Sequence, residues 1–157
     1  MTNPIVRHDA LKPLSRDHHH GLLLCWKIRE GIKKQVAPGR IKDYTDYFFT
    51  SQLRPHFRFE EREIFPLLGD HHPMMERAVN EHRRLESLFK EEASVEVFSA
   101  IETELNRHIR FEERELFQEL QKTASKEALQ NIRNKEEEVR TPDPEDWDDK
   151  FWLKEGS

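Results

Sequence analysis

Apolar residues recur every three or four positions through the first 122 residues, and this stripe stops only at a few breaker sites. The spacing predicts four helices. The first starts at Ser15, a good N-cap residue, and runs to about Val36, before Pro38-Gly39. The second runs from about Ile41 to Leu68 and ends at Gly69-Asp70, with Pro55 expected to bend or loosen it. The third opens on Pro73 and ends near Ala93; the fourth follows Ser94 and ends near Lys122. Connections this short imply antiparallel neighbours. The fold class read from the pattern is all-α, an up-down-up-down four-helix bundle over residues 1–122.

Beyond residue 122 the pattern changes. Ser125–Arg140 reads as a charged helix capped by Ser125, and Thr141-Pro142-Asp143-Pro144 breaks it. An acidic segment with Trp147, Phe151 and Trp152 follows. Residues 123–157 are therefore expected to form an acidic C-terminal extension whose aromatics pack on the bundle or reach a partner.

Within the bundle one phrase is written twice. Residues 56–68 read HFRFEEREIFPLL and 108–120 read HIRFEERELFQEL, identical at nine of thirteen positions. Each copy sets a glutamate four residues after a histidine: His56 with Glu60, His108 with Glu112. At about 100° per residue that pair shares one helix face. Leu53 and Phe49 lie on that face in the first copy, Ile101 and Leu105 in the second, so both pairs point inward. Met75, Val79, Leu85 and Phe89 place His82 inward on the third helix. Among His18, His19 and His20, His18 lies nearest the stripe of Leu14, Cys25, Ile28 and Ile32. Gly21, near the stripe's centre, is expected to leave space beside the site. Glu63 and Glu115 read as inward one turn further on, as candidate proton relays or as partners of the histidines. Glu61, Arg62 and Arg114 read as a solvated face.

Burying carboxylates without partners costs several kcal/mol. Four inward histidines and two inward glutamates therefore point to a metal. Imidazole and carboxylate without thiolate suit iron or manganese, with zinc as an alternative. The count suits two ions: His18 and His56 on one, His82 and His108 on the other, Glu60 and Glu112 between them. A Glu-x-x-His site is excluded, since Ser15, Leu53, Val79 and Leu105 stand three residues before the histidines.

Composition narrows the setting. Of 157 residues 36% are charged and 35% hydrophobic, with a mean hydropathy of −0.93, a profile that folds when apolar residues are gathered into stripes. The net charge of −5 comes without a basic patch, so no nucleic-acid partner is expected. The longest apolar stretch, around Leu22–Trp26, is too short for a bilayer, and no signal-peptide pattern is present. A single cysteine, Cys25, suits a reducing cytoplasm.

The phrases LSRDH at 14–18, HFRFEE at 56–61, NEH at 80–82 and HIRFEE at 108–113 resemble the hemerythrin-like family, also called the HHE cation-binding domain, over roughly residues 14–120. The resemblance implies a non-haem di-iron centre that meets dioxygen, nitric oxide or peroxide. Oxygen-carrying members have a second histidine on the third helix, where this chain has Glu86, a candidate extra ligand, and an aspartate five residues after the last histidine, where this chain has Glu112 at plus four. Fewer imidazoles make the centre more open and more anionic, which favours a ferric state over reversible oxygen carriage. Three functions are thus expected to compete. One is a cytoplasmic di-iron protein that binds or senses oxygen, nitric oxide or iron. The second is a di-iron oxidoreductase acting on peroxide or nitric oxide, or an iron–sulfur repair protein. The third is an interaction protein or homodimer assembled through the C-terminal tail.

Overall fold

The computed structural model of the chain describes residues 8–136 and 143–153, and every regular element among them is helical. The α-helices are α1 (Lys12–Lys33), α2 (Pro38–Phe48), α3 (Arg54–Phe59), α4 (Pro73–Lys90), α5 (Val95–Phe111), α6 (Phe117–Thr123) and α7 (Lys126–Glu136). Three π-helical turns join pieces of the longer rods: Phe49–Leu53, Glu60–Ile64 and Glu112–Leu116. Residues 38–68 and 95–123 thereby run as two continuous helical stretches.

Most start signals act as read. Ser94 Oγ accepts the N–H of Val97 at 3.1 Å and Ser125 Oγ that of Ala128 at 3.1 Å, each satisfying an otherwise orphaned donor. Pro73 opens α4, with His72 Nδ1 accepting from Met74. Two boundaries differ. The first helix begins before Ser15: His8 caps a 3-10 turn at Asp9–Leu11, and α1 is under way by Lys12, because buried Leu11 and Leu14 carry the apolar stripe a turn upstream. Pro38 opens α2 instead of separating helices, since a first-turn proline lacks only an N–H with no intrahelical partner.

Two apolar clusters form the core. One gathers Leu24, Phe48, Phe98, Phe151 and Trp152; the other Leu11, Phe65, Phe117, Leu129 and Ile132. The buried histidines lie where they meet, His82 touching Phe57 of the first and Phe65 of the second. Helix α5 packs against both α1 and α4. A Cβ on Gly21 would stand 2.7 Å from Ile109 Cδ1, so the expected space at Gly21 is filled by α5. Helix α7 covers the turn Asp9–Leu11 through Leu129 and Ile132.

Residues 143–153 lie across α1 and α2. Phe151 and Trp152 are buried, and Trp147 stacks on Tyr47 with ring centroids 4.8 Å apart. Lys27, only 3% exposed, donates to Glu145 (2.8 Å) and to Tyr44 Oη (2.9 Å), and its ammonium sits 4.2 Å from the Trp152 ring centroid. Gly31 makes room for Ile41 and Phe151, each 2.9 Å from where its Cβ would stand. No helix among the described residues is long and apolar enough to cross a membrane. The predicted end of the charged helix, residues 137–140, lies outside the described residues, as do Thr141 and Pro142.

Candidate metal centre

All six side chains singled out in the sequence meet in one place. His18 (α1), His56 (α3), His82 (α4), His108 (α5) and the two π-turn residues Glu60 and Glu112 are all buried, both glutamates completely. They form two overlapping groups: His18, His56, Glu60 and Glu112, and Glu60, His82, His108 and Glu112. Within each group the ligand atoms all lie within 4.8 Å of one another. Both carboxylates face both groups. Glu60 Oε1 is 3.2 Å from His56 Nε2 and 3.2 Å from His82 Nε2. Glu112 places Oε1 2.8 Å from His18 Nε2 and Oε2 3.3 Å from His108 Nε2.

The π turns sit under the two glutamates. Phe65 N–H donates to Glu60 O and Phe117 N–H to Glu112 O, five residues back in each repeat. One extra residue per turn makes the later side chains lag by about 100° behind an α-helix. That lag corrects the inward placement of Glu63 and Glu115. Glu115 is 55% exposed near Arg77, and Glu63 pairs with Lys135 and Arg62. Glu61, read as solvated, instead meets His82. Glu86, the candidate extra ligand, instead pairs with Arg83 at 2.9 Å and joins neither group.

Four outer carboxylates escaped the sequence reading. Asp17 meets His56 Nδ1 at 2.9 Å, Glu61 meets His82 Nδ1 at 2.8 Å, Glu81 meets His108 Nδ1 at 2.7 Å, and Glu113 meets His18 Nδ1 at 2.8 Å. Each of the four cage histidines is thus gripped by a carboxylate from the helical stretch before it in the chain, the last stretch returning to α1. The available signal was adjacency, for each outer carboxylate neighbours an inner site residue: Asp17-His18, Glu60-Glu61, Glu81-His82, Glu112-Glu113.

This arrangement has one chemical consequence. With each Nδ1–H donated outward, each Nε2 presents a lone pair inward. His18 Nε2 and His56 Nε2 face each other at 3.2 Å. Both Glu60 oxygens, Glu112 Oε2, His82 Nε2 and His108 Nε2 are buried without a hydrogen-bond partner among the described residues. A closed cage of acceptors needs cations, as metal ions or as protons, so these residues fit a pair of divalent metals. In the metal-free chain protons take that place. Burial opposes charging His18, but its hydrogen bonds to Glu112 and Glu113 outweigh burial and push its pKa up to about 9. Against the same burial, the nearby carboxylates of Glu112, Glu60 and Glu61 push His82 up to about 10. Burial also opposes ionising Glu112, yet the neighbouring imidazoles, His108 first and then His18 and His82, hold it well below the usual carboxylate range.

The model of the hemerythrin HHE cation-binding domain matches residues 9–120. The chain belongs to this hemerythrin family. No curated protein and no solved structure gives a significant match. The matched region of this hemerythrin-family chain contains all six inner residues and all four outer carboxylates, and ends before α7 and the tail.

Proposed function

We propose that this hemerythrin-family protein is a non-haem di-iron protein that binds or senses oxygen, nitric oxide or iron in the cytoplasm. One observation carries the reading: a buried cage of four imidazoles and two carboxylates whose ligand atoms converge within 4.8 Å in two overlapping groups, several of them without a hydrogen-bond partner among the described residues. His18 and His56 would hold one iron, His82 and His108 the other, with Glu60 and Glu112 shared; manganese or zinc are the alternative ions. Two irons so held supply a redox-active centre for a small diatomic ligand. Asp17, Glu61, Glu81 and Glu113 fix the tautomer and tilt of the imidazoles and raise their basicity as ligands. Cys25 takes no part: burial pushes its thiol up to about 12.

The supporting framework in this reading is an up-down-up-down four-helix bundle in residues 1–122, with 123–157 as an extension. The oxidoreductase alternative loses the acid–base groups assigned to it, because Glu63 and Glu115 stand away from the cage. A partner or homodimer contact through the tail is also disfavoured, since Phe151 and Trp152 are already buried in their own chain. Elemental analysis of anaerobically purified protein, then absorption spectra as oxygen or nitric oxide is admitted, tests the proposal. Two irons per chain and a ligand-dependent charge-transfer band are expected. A chain that emerges without metal from iron- and manganese-replete cells would overturn it.

A further inference from the structure

The two halves of the cage share ligand types but not surroundings. His82 is fully buried and His108 is 1% exposed. The His82 ring stacks on Phe57 with centroids 3.9 Å apart. The carboxylates behind these two histidines are themselves clamped: Glu61 by Arg83, with one contact at 3.1 Å, and Glu81 by Arg77 at 2.9 Å. In the other half Glu113, behind His18, is 20% exposed, but Asp17, behind His56, has a 43% exposed side chain and, among the described residues, pairs with no arginine or lysine. A cleft of about 830 Å³ opens against this half, lined by Asp17, His56, Gln52, Arg133, Glu136 and Pro144, and by neither His82 nor His108. Arg133, Glu136 and Pro144 lie beyond the family match, so the chain's own extension shapes that opening.

We propose that the two cation positions are unequal. The His82–His108 position fills first and holds tightly; the His18–His56 position fills second and exchanges through the cleft beside α7. The inference rests on the metal reading above and gives it a working range. Outer partners of ligating histidines alter metal affinity by about 10–100-fold, and a clamped partner pre-orients its imidazole more fully than a solvated one. An open wall also lets water and protons compete for the ligands of the second position. At intermediate metal supply the chain is half loaded, so its occupancy reports that supply.

Titrating the metal-free full-length chain with Mn²⁺ alone, by calorimetry and native mass spectrometry, tests this. Two binding steps at least about tenfold apart are expected. His56→Ala should keep the tight step and lose the weak one, whereas Arg83→Gln should weaken the tight step. A chelator challenge of the loaded wild type, which needs no variant, should release one Mn²⁺ quickly and the other slowly. Pro144→Trp, narrowing the cleft, should slow only the fast phase. Simultaneous filling, single-phase release, or loss of the tight step in a folded His56→Ala chain would overturn the inequality. A wild type that takes up no Mn²⁺ would sink the metal site itself, and this proposal with it.

Discussion

At the scale of single residues, Glu60 and Glu112 differ from the histidines in belonging to both halves of the cage. Glu112→Gln should therefore bring bound metal below one ion per chain with the helical circular-dichroism signal kept, while a retained pair of ions would show that the glutamate is not shared. Protons and metal compete for the same lone pairs, which fixes a pH dependence. His18 and His82 have folded pKa values of about 9 and about 10 against an ordinary 6.5. Raised values mean that the imidazolium forms stabilise the metal-free fold. That contribution is whole below pH 6.5 and is lost as pH climbs through 9 to 10. Thermal melts of chelator-treated protein should fall across that window, and metal-loaded protein should not follow them; parallel curves would contradict the competition. Glu136 carries the opposite cost. Burial, then the charge of Asp17, pushes its pKa up to about 8, and neither of its oxygens has a partner among the described residues. A raised carboxylate weakens the fold as pH rises from the ordinary 4.5 through 8. Glu136→Gln should raise the melting temperature at pH 9 and change it little at pH 4.

At the scale of elements, helix starts were legible because capping residues and first-turn prolines act locally. Ser94, Pro73 and Ser125 begin helices for reasons contained within three or four residues. The inward faces of His56, His82 and His108 were legible because apolar neighbours shared their phase. The π turns were missed although they do mark the pattern: buried Leu116, Phe117 and Leu120 stand on an α-helical phase roughly 100° away from that of Ile101 and Leu105, an offset read as one continuous stripe. From that omission came the inward reading of Glu63 and Glu115. The outer carboxylates were hidden for another reason: Asp17 and Glu81 sit about 100° from their own histidines and serve imidazoles on other helices, pairings that a one-dimensional reading cannot show. The π turn makes its own prediction. Deleting exposed Arg114 should restore an α-turn with the apolar seam of Leu116, Phe117 and Leu120 preserved. Thermal stability should hold while metal affinity, read by Mn²⁺ titration, falls by about tenfold or more. Unchanged affinity would mean that the bulge has no bearing on where Glu112 points.

At the scale of the whole molecule, Leu129, Ile132, Phe151 and Trp152, all beyond residue 120, are buried with the core rather than appended to it. Trp152 and Phe151 close the apolar cluster around Tyr44, and Tyr44 Oη donates to Pro144 O at 3.1 Å while accepting from Lys27. Truncating Trp152 to alanine should cost about 3–5 kcal/mol, as for other buried large aromatics, and denaturant unfolding would measure it. A loss below about 1 kcal/mol would show that the tail packs only loosely.

The four outer carboxylates also verify the winding of the chain. Each meets the histidine of the next helical stretch in chain order, and the last closes on the first. A mistaken topology with two helices exchanged could still bury its leucines and phenylalanines, because grease is indifferent to order. It would strand imidazoles beside the wrong neighbours, and its grip on a cation would slacken. In the proposed reading, metal capture would thus proofread the fold, rewarding the one arrangement in which each cage imidazole has found its keeper.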